Sequence, residues 1–253
     1  MIRNAVVLAS LAVSMFAQSP TQPPRLIRVV RNPAAPDSDP IRGYADAQTR
    51  VNVLGVNSLT GSAESWLIEA HDSFESIEAT TVALANTHPA QVTALPDSLP
   101  LSTSSVAVYR ANLSYRPDEA VAALPKARCL NVSVYRIRAG ADREFVELMQ
   151  IRRKGLAAAN MDRPVIAYQV VSGVPSGTYI FVSPLVTLKT LDDGISRLPV
   201  YAETMAEAGA DAGRKLAAET EVARESRLFR MDPRISYVSD EFAAADTEFW
   251  RGK

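Results

Sequence analysis

The sequence predicts an α+β chain in which one β-α-β-β-α-β unit is written twice, over residues 25–115 and 127–240. Three observations carry this. Pro164–Ser183 holds two β-rich runs, Val165–Ser172 and Thr178–Ser183, around the turn Gly173-Val-Pro-Ser-Gly177. Glycine supplies the positive φ of a reversal, and Pro175 cannot donate to a ladder, so this stretch reads as a β-hairpin. A weaker copy stands upstream, Gly55-Val-Asn-Ser-Leu-Thr-Gly61 followed by Ser65-Trp-Leu-Ile-Glu-Ala70, in which Thr60-Gly61 answers Ser172-Gly173 and Trp66 answers Tyr179. A further pair of echoes closes each unit. Tyr109-Arg-Ala-Asn-Leu-Ser-Tyr115 precedes Asp118-Glu119, and Phe229-Arg-Met-Asp-Pro-Arg-Ile-Ser-Tyr237 precedes Asp240-Glu241.

In the first unit, Leu26–Arg31 reads as a strand. Asp39-Pro40 then opens a helix that runs towards Gly55, because Asp accepts from free backbone donors and Pro suits the first helical position. The first hairpin follows. Asp72 with Glu75 resembles a capping box for a helix from Ser73 to about Asn86, with Phe74, Ile77 and Val82 available to pack. A Pro-rich loop, His88 to Ser105, leads to a strand at Val106–Arg110. In the second unit Cys129–Arg138 is a strand. Asp142 caps a helix with Phe145, Leu148, Met149, Arg152 and Leu156 at helical spacing. After the second hairpin a helical region runs from Leu188 towards Arg224, broken near Pro199, and Arg227–Met231 is the last strand. This order is the ferredoxin-like arrangement in both halves.

With 253 residues and 47% hydrophobic content, the chain can bury one large core or two modest ones. Its 27 basic and 28 acidic residues form no long run of either sign, which argues against a nucleic-acid footprint. Arg152-Arg-Lys154 falls on the predicted helix and reads as a solvated face. Residues 1–19 have the layout of an export signal: Arg3, then the apolar Ala5–Phe16, then small residues at Ala17-Gln-Ser19. The other reading of this segment is a buried N-terminal element. A secreted or periplasmic protein is expected, with no membrane span after the signal. Cys129 is the only cysteine, so no internal disulfide forms, and it suits a small buried hydrophobe.

Two such units in one chain resemble the dimeric α+β-barrel superfamily, its NIPSNAP-like and antibiotic-biosynthesis-monooxygenase-like members above all. The resemblance covers residues 25 to about 240 and rests on element order and on runs such as Val132-Ser-Val-Tyr-Arg-Ile-Arg138 and Tyr168-Gln-Val-Val-Ser-Gly173. It implies two four-stranded sheets packed face to face as an intramolecular barrel, with helices outside and, in some members, a cavity between the sheets. Haem-binding relatives use a histidine in the C-terminal unit. Here both histidines, His71 and His88, fall in the N-terminal one, so no haem is expected.

No serine-nucleophile, zinc-helix, phosphate-loop or dinucleotide motif occurs, and the two histidines have no metal spacing, so no metal or cofactor is expected. His71-Asp72 hints at acid–base work, but Asp72 reads as the helix cap and His71 as the exposed residue before it. On the strand from Cys129, Asn131, Ser133 and Tyr135 alternate with Leu130, Val132 and Val134. The apolar row is assigned to the helices and the polar row to the space between the sheets, where it suits a wet or ligand-filled cavity. The other reading pairs that row across strands or leaves it solvated. Trp66, Asn131, Ser133, Tyr135 and Tyr179 are therefore the candidate ligand-binding residues. The function expected is non-catalytic binding of a small apolar or aromatic molecule, or of a protein partner. A cofactor-independent monooxygenase or isomerase acting on a small aromatic substrate is the alternative, and a structural, oligomer-building module comes third. One chain supplying both units makes a monomer the expectation, with homo-oligomers left open.

Overall fold

The computed structural model describes residues 22–32, 42–49, 51–87, 103–207 and 210–252. The segment read as an export signal, the Asp39-Pro40 helix start and His88 lie outside the described residues. Eight strands, β1 (Leu26–Asn32), β2 (Val53–Ser58), β3 (Ser65–His71), β4 (Thr103–Tyr109), β5 (Cys129–Ile137), β6 (Ile166–Ser172), β7 (Thr178–Leu185) and β8 (Glu221–Met231), close an antiparallel barrel in the order β1-β3-β2-β8-β5-β7-β6-β4. The helices are α1 (Arg42–Asp46), α2 (Phe74–Thr87), α3 (Pro117–Ala123), α4 (Asp142–Ala158), α5 (Lys189–Ser196), α6 (Leu198–Glu207), α7 (Ala210–Thr220), α8 (Asp240–Ala243) and α9 (Thr247–Arg251).

The β6–β7 hairpin turns at Gly173 and Gly177, with φ of 96° and 78°. A side chain on Gly173 would also strike the Ser104 carbonyl, its Cβ falling 2.0 Å from that oxygen. In both the first and the second four strands the spatial order is fourth, first, third, second. The two sets join where the second strand of one meets the fourth of the other, β2 with β8 and β4 with β6. Matching crossings reinforce these junctions. Tyr115 bridges to Val165 beside β6, and Tyr237 bridges to Val53 at the start of β2. Beside them the Ala167 N–H donates to Ser114 Oγ at 3.0 Å, and the Gly55 N–H donates to Ser236 Oγ at 2.9 Å.

An eight-stranded barrel has an interior just wide enough for side chains to fill. Ile27, Val29, Leu54, Val56, Trp66, Ile68, Leu130, Val132, Tyr168, Val182, Phe229 and Met231 fill it here. Trp66 and Phe229 meet with centroids 4.7 Å apart and their planes tilted by 49°. The expected assignment of faces on β5 is thus reversed: Leu130 and Val132 point into the barrel, and Asn131, Ser133 and Tyr135 point out to the helices. The space between the sheets is filled by buried apolar side chains and takes the apolar row. Trp66 and Tyr179 are not equivalent either. By strand register Val29 faces Ile68 and Val132 faces Val182, so the counterpart of Trp66 is Ile180, and Tyr179 lies on the outer face. A one-residue slip in aligning the two hairpins moves a side chain through the wall.

Other boundaries shift for local reasons. α2 is capped by Ser73, whose Oγ accepts from the Ser76 N–H at 3.1 Å, and Asp72 is exposed. Phe74 and Val82 point to solvent, while Ile77, Thr80 and Leu84 turn inward. Asp142 begins α4 without capping it, because its carboxylate accepts from Tyr179 Oη. The region from Leu188 breaks into α5, α6 and α7, with Pro199 in the first turn of α6, and β8 starts at Glu221, six residues before the predicted Arg227.

Candidate ligand-binding site

On the outer face of β5, β6 and β7, α4 packs through Phe145, Leu148 and Met149. The Phe145 ring sits 4.7 Å from Tyr179 and 5.5 Å from Tyr135, and Tyr135 meets Phe181 edge-on at 5.1 Å. α6 can approach α4 because Gly155 has no side chain; a Cβ there would lie 2.5 Å from Met205 Sδ and 2.9 Å from the Tyr201 ring. Beyond Met149 the sheet and these two helices diverge, leaving a cavity of about 330 Å³. That is within the range of small-molecule sites.

Asn131, Ser133, Tyr135, Phe181 and Ser183 form its floor, and Met149, Leu156 and Tyr201 its walls. The floor polar groups are held by their neighbours. Ser133 Oγ donates to Ser226 Oγ at 3.3 Å, Ser226 Oγ donates to Asn131 Oδ1 at 3.2 Å, and Ser183 Oγ donates to the Pro164 carbonyl at 2.8 Å. Arginines supply the charge. Arg152 donates to Tyr135 Oη at 3.3 Å and pairs with Glu221 at 2.8 Å. Arg224 lies over the Tyr135 ring at 5.0 Å. Arg163 comes from the segment joining α4 to β6, and its guanidinium is held below its ordinary value by burial first and by the charge of Arg224 second. A larger cleft of about 720 Å³ adjoins, between α5 and residues 161–163, and shares Met161, Arg163 and Leu198 with the cavity. Exposed residues of α5 make up much of its wall, so the aromatic and cationic chemistry belongs to the smaller space.

Of the five residues singled out from sequence, Asn131, Ser133 and Tyr135 meet in this cavity. Tyr179 is in the same layer but is sealed behind Phe145, its Oη donating to Asp142 at 2.5 Å; burial first and this carboxylate second raise its phenol. Trp66 is inside the barrel. Arg152, Arg163, Arg224 and Tyr201 line the cavity without having been among the residues singled out from sequence. The signal for Arg152 was present, since a charged residue interrupts an otherwise apolar stripe at Phe145, Leu148, Met149 and Leu156.

The N-terminal sheet is closed on the same side. Glu69, fully buried, accepts from Arg28 at 2.8 and 2.7 Å and from Tyr44 Oη at 2.5 Å, and lies 2.9 Å from His71 Nε2. His71 Nδ1 is 3.0 Å from Ser76 Oγ on α2. The expected exposed His71 is thus a buried link in a network tying α1 and α2 to the sheet; alternation on β3 carries it to the outer face, where α2 covers it. Burial pushes the Glu69 carboxyl up, but His71 and the Arg28 guanidinium outweigh that and hold it below the usual carboxylate range. Burial raises the Cys129 thiol. Among the described residues no three His, Cys, Asp or Glu gather as a metal site, and no helix is long and apolar enough to cross a membrane.

No family model matches the sequence, and no curated protein matches it. Solved structures do resemble it. A candidate monooxygenase from Fusobacterium nucleatum superposes with a TM-score of 0.52 over 83% of this chain and 93% of its own, at 8% identity. An anthrone oxidase-like protein gives 0.52 over 84% and 93%, at 9% identity. A candidate chlorite dismutase gives 0.49 over 87% and 98%, at 9% identity. The first two likenesses show the fold alone, an α+β arrangement that closes here into an eight-stranded antiparallel barrel.

Proposed function

We propose that this is an exported binder of a small aromatic molecule, which it holds in the cavity under α4 and α6. The observation that carries the reading is the cavity's lining: aromatic and aliphatic walls around a few convergent polar groups already fixed by neighbours. Rings bury area, and the polar groups set orientation. The test is a thermal-shift screen of small aromatic compounds against wild type and Leu156→Trp, which fills the cavity. Compounds that stabilise wild type and not the variant support the reading; no stabilisation, or equal stabilisation of both, removes it.

The chain is further read as a tandem duplication of ferredoxin-like units, residues 25–115 and 127–240. The identical strand orders support it, as do the paired crossings at Tyr115 and Tyr237 with their equivalent Ser114 and Ser236 hydrogen bonds. A barrel closed within one chain is consistent with a monomer.

A cofactor-independent monooxygenase or isomerase acting on an aromatic substrate is the second reading. It is favoured by guanidinium groups gathered at the Tyr135 phenol, which can stabilise an oxyanion forming on a bound ring, and by solved structures of the same fold named as a candidate monooxygenase and as anthrone oxidase-like. Oxygen uptake with 1,8-dihydroxyanthrone, faster than the uncatalysed rate and lost in Tyr135→Phe, supports this reading; uptake at the uncatalysed rate counts against it.

A further inference from the structure

We infer that the molecule held in this cavity is an aromatic carboxylate, its oxyanion received by Arg163 and Arg224 at the Tyr135 end; this rests on the binding function proposed above. The chain as a whole has a formal net charge of −1. The cavity lining departs from that balance, with Arg152, Arg153, Arg163 and Arg224 and no Asp or Glu. Two of the four are already engaged. Arg152 is neutralised by Glu221, and Arg153 donates to the Asn112 and Ser114 carbonyls at 3.5 and 3.3 Å.

The other two make no ion pair among the described residues, although Arg163 also borders the neighbouring cleft that Asp162 and Asp193 line. Among the described residues neither Arg163 nor Arg224 pairs with a carboxylate, and the nearest acidic neighbour along β8, Glu225, pairs instead with Arg227 at 3.0 Å. Arg224 is placed by register, directly opposite Tyr135 across the β5–β8 ladder, and it rests on that ring. Arg163 is half-buried, and the charge of Arg224 reaches it. Arg163 is half-buried and Arg224 exposed, so the two like charges lining one half-enclosed space repel each other, and an anion bound between them would relieve that repulsion. A planar guanidinium fork matches a carboxylate in two parallel hydrogen bonds, which sets direction as well as strength. The remaining lining, Phe181, Met149, Leu156 and Tyr201, suits a flat apolar body attached to that group.

Calorimetric titration with 2-naphthoate and its neutral isostere 2-naphthamide tests this on wild type, Arg163→Gln and Arg224→Gln, with thermal unfolding as the folding control. Wild type is expected to prefer the carboxylate by about tenfold or more, a preference that falls with added salt. Each variant is expected to lose about tenfold for 2-naphthoate and keep its affinity for 2-naphthamide. Arg224 is exposed, so its variant carries the test if Arg163→Gln does not fold. Equal binding of both compounds by wild type, or equal losses in the variants, overturns the carboxylate and leaves the aromatic binder standing. Failure of both compounds in wild type, together with a screen in which Leu156→Trp changes nothing, removes the binding function itself.

Discussion

Arg224 lies directly across the β5–β8 ladder from Tyr135, with its guanidinium 5.0 Å from the ring centroid. Arg152 reaches the same ring from α4, 5.6 Å from the centroid, and donates to its Oη at 3.3 Å. The phenol is therefore held between strand and helix by two cations, in the floor of the cavity. Tyr135→Phe keeps the ring and its contacts with Phe145 and Phe181 and loses only the hydroxyl. A stability loss of about 1 kcal/mol or less is expected. Affinity for an aromatic ligand should fall by a larger factor, read by calorimetry against urea unfolding of the same variant.

Trp66 should behave in the opposite way. It is a barrel-core side chain packed against Phe229, so Trp66→Ala is expected to cost about 3–5 kcal/mol. Trp66→Phe, which keeps a ring in place, should leave ligand affinity unchanged. A binding defect in that variant would move the site into the barrel.

The Glu69 network sets an acid limit on the fold. A carboxyl held below its ordinary value in the folded state contributes stability that is fully present above the unfolded value, about 4.3. That contribution is lost as pH falls through the folded value. Urea unfolding of wild type should weaken below about pH 4, and Glu69→Gln should weaken less steeply over the same range. At neutral pH, Glu69→Ala leaves Arg28 without its partner and is expected to cost about 3–5 kcal/mol.

Gly55 is required by a crossing. A Cβ there would fall 2.0 Å from the Ile235 carbonyl oxygen, in the turn that carries Ser236 across to β2. That atom is backbone and cannot swing aside. Gly55→Ala is expected to cost about 1–3 kcal/mol, measured by chemical denaturation.

The mature protein is expected to begin between Gln18 and Pro20. Mass spectrometry of the exported protein checks this, and an intact Met1 in that fraction contradicts it.

Much of the fold was legible because it is written in local chemistry. Gly173 and Gly177 mark a turn that needs positive φ, and the Tyr109–Tyr115 and Phe229–Tyr237 echoes fall where the chain crosses between the two sets of strands. Facing was harder. Alternation on β5 separates Asn131, Ser133 and Tyr135 from Leu130 and Val132, but alternation has no sign, and which row goes inward depends on whether the barrel is filled. The three polar residues were thus grouped correctly and assigned to the wrong side of the wall. Arg163 and Arg224 come from a loop and from a polar strand that reads as the tail of a helix. The β5–β8 register brings Arg224 to Tyr135, and Arg163 reaches the same cavity from the segment before β6. The Glu69–Arg28 pair likewise joins residues on separate strands, matched across the β1–β3 ladder.

The most direct test is a crystal structure of the protein soaked with 2-naphthoate at a concentration that saturates binding in solution. The naphthalene ring is expected between Tyr135 and Leu156, with its carboxylate against Arg163 and Arg224. Density for the compound inside the barrel beside Trp66, or none under α4, would contradict it.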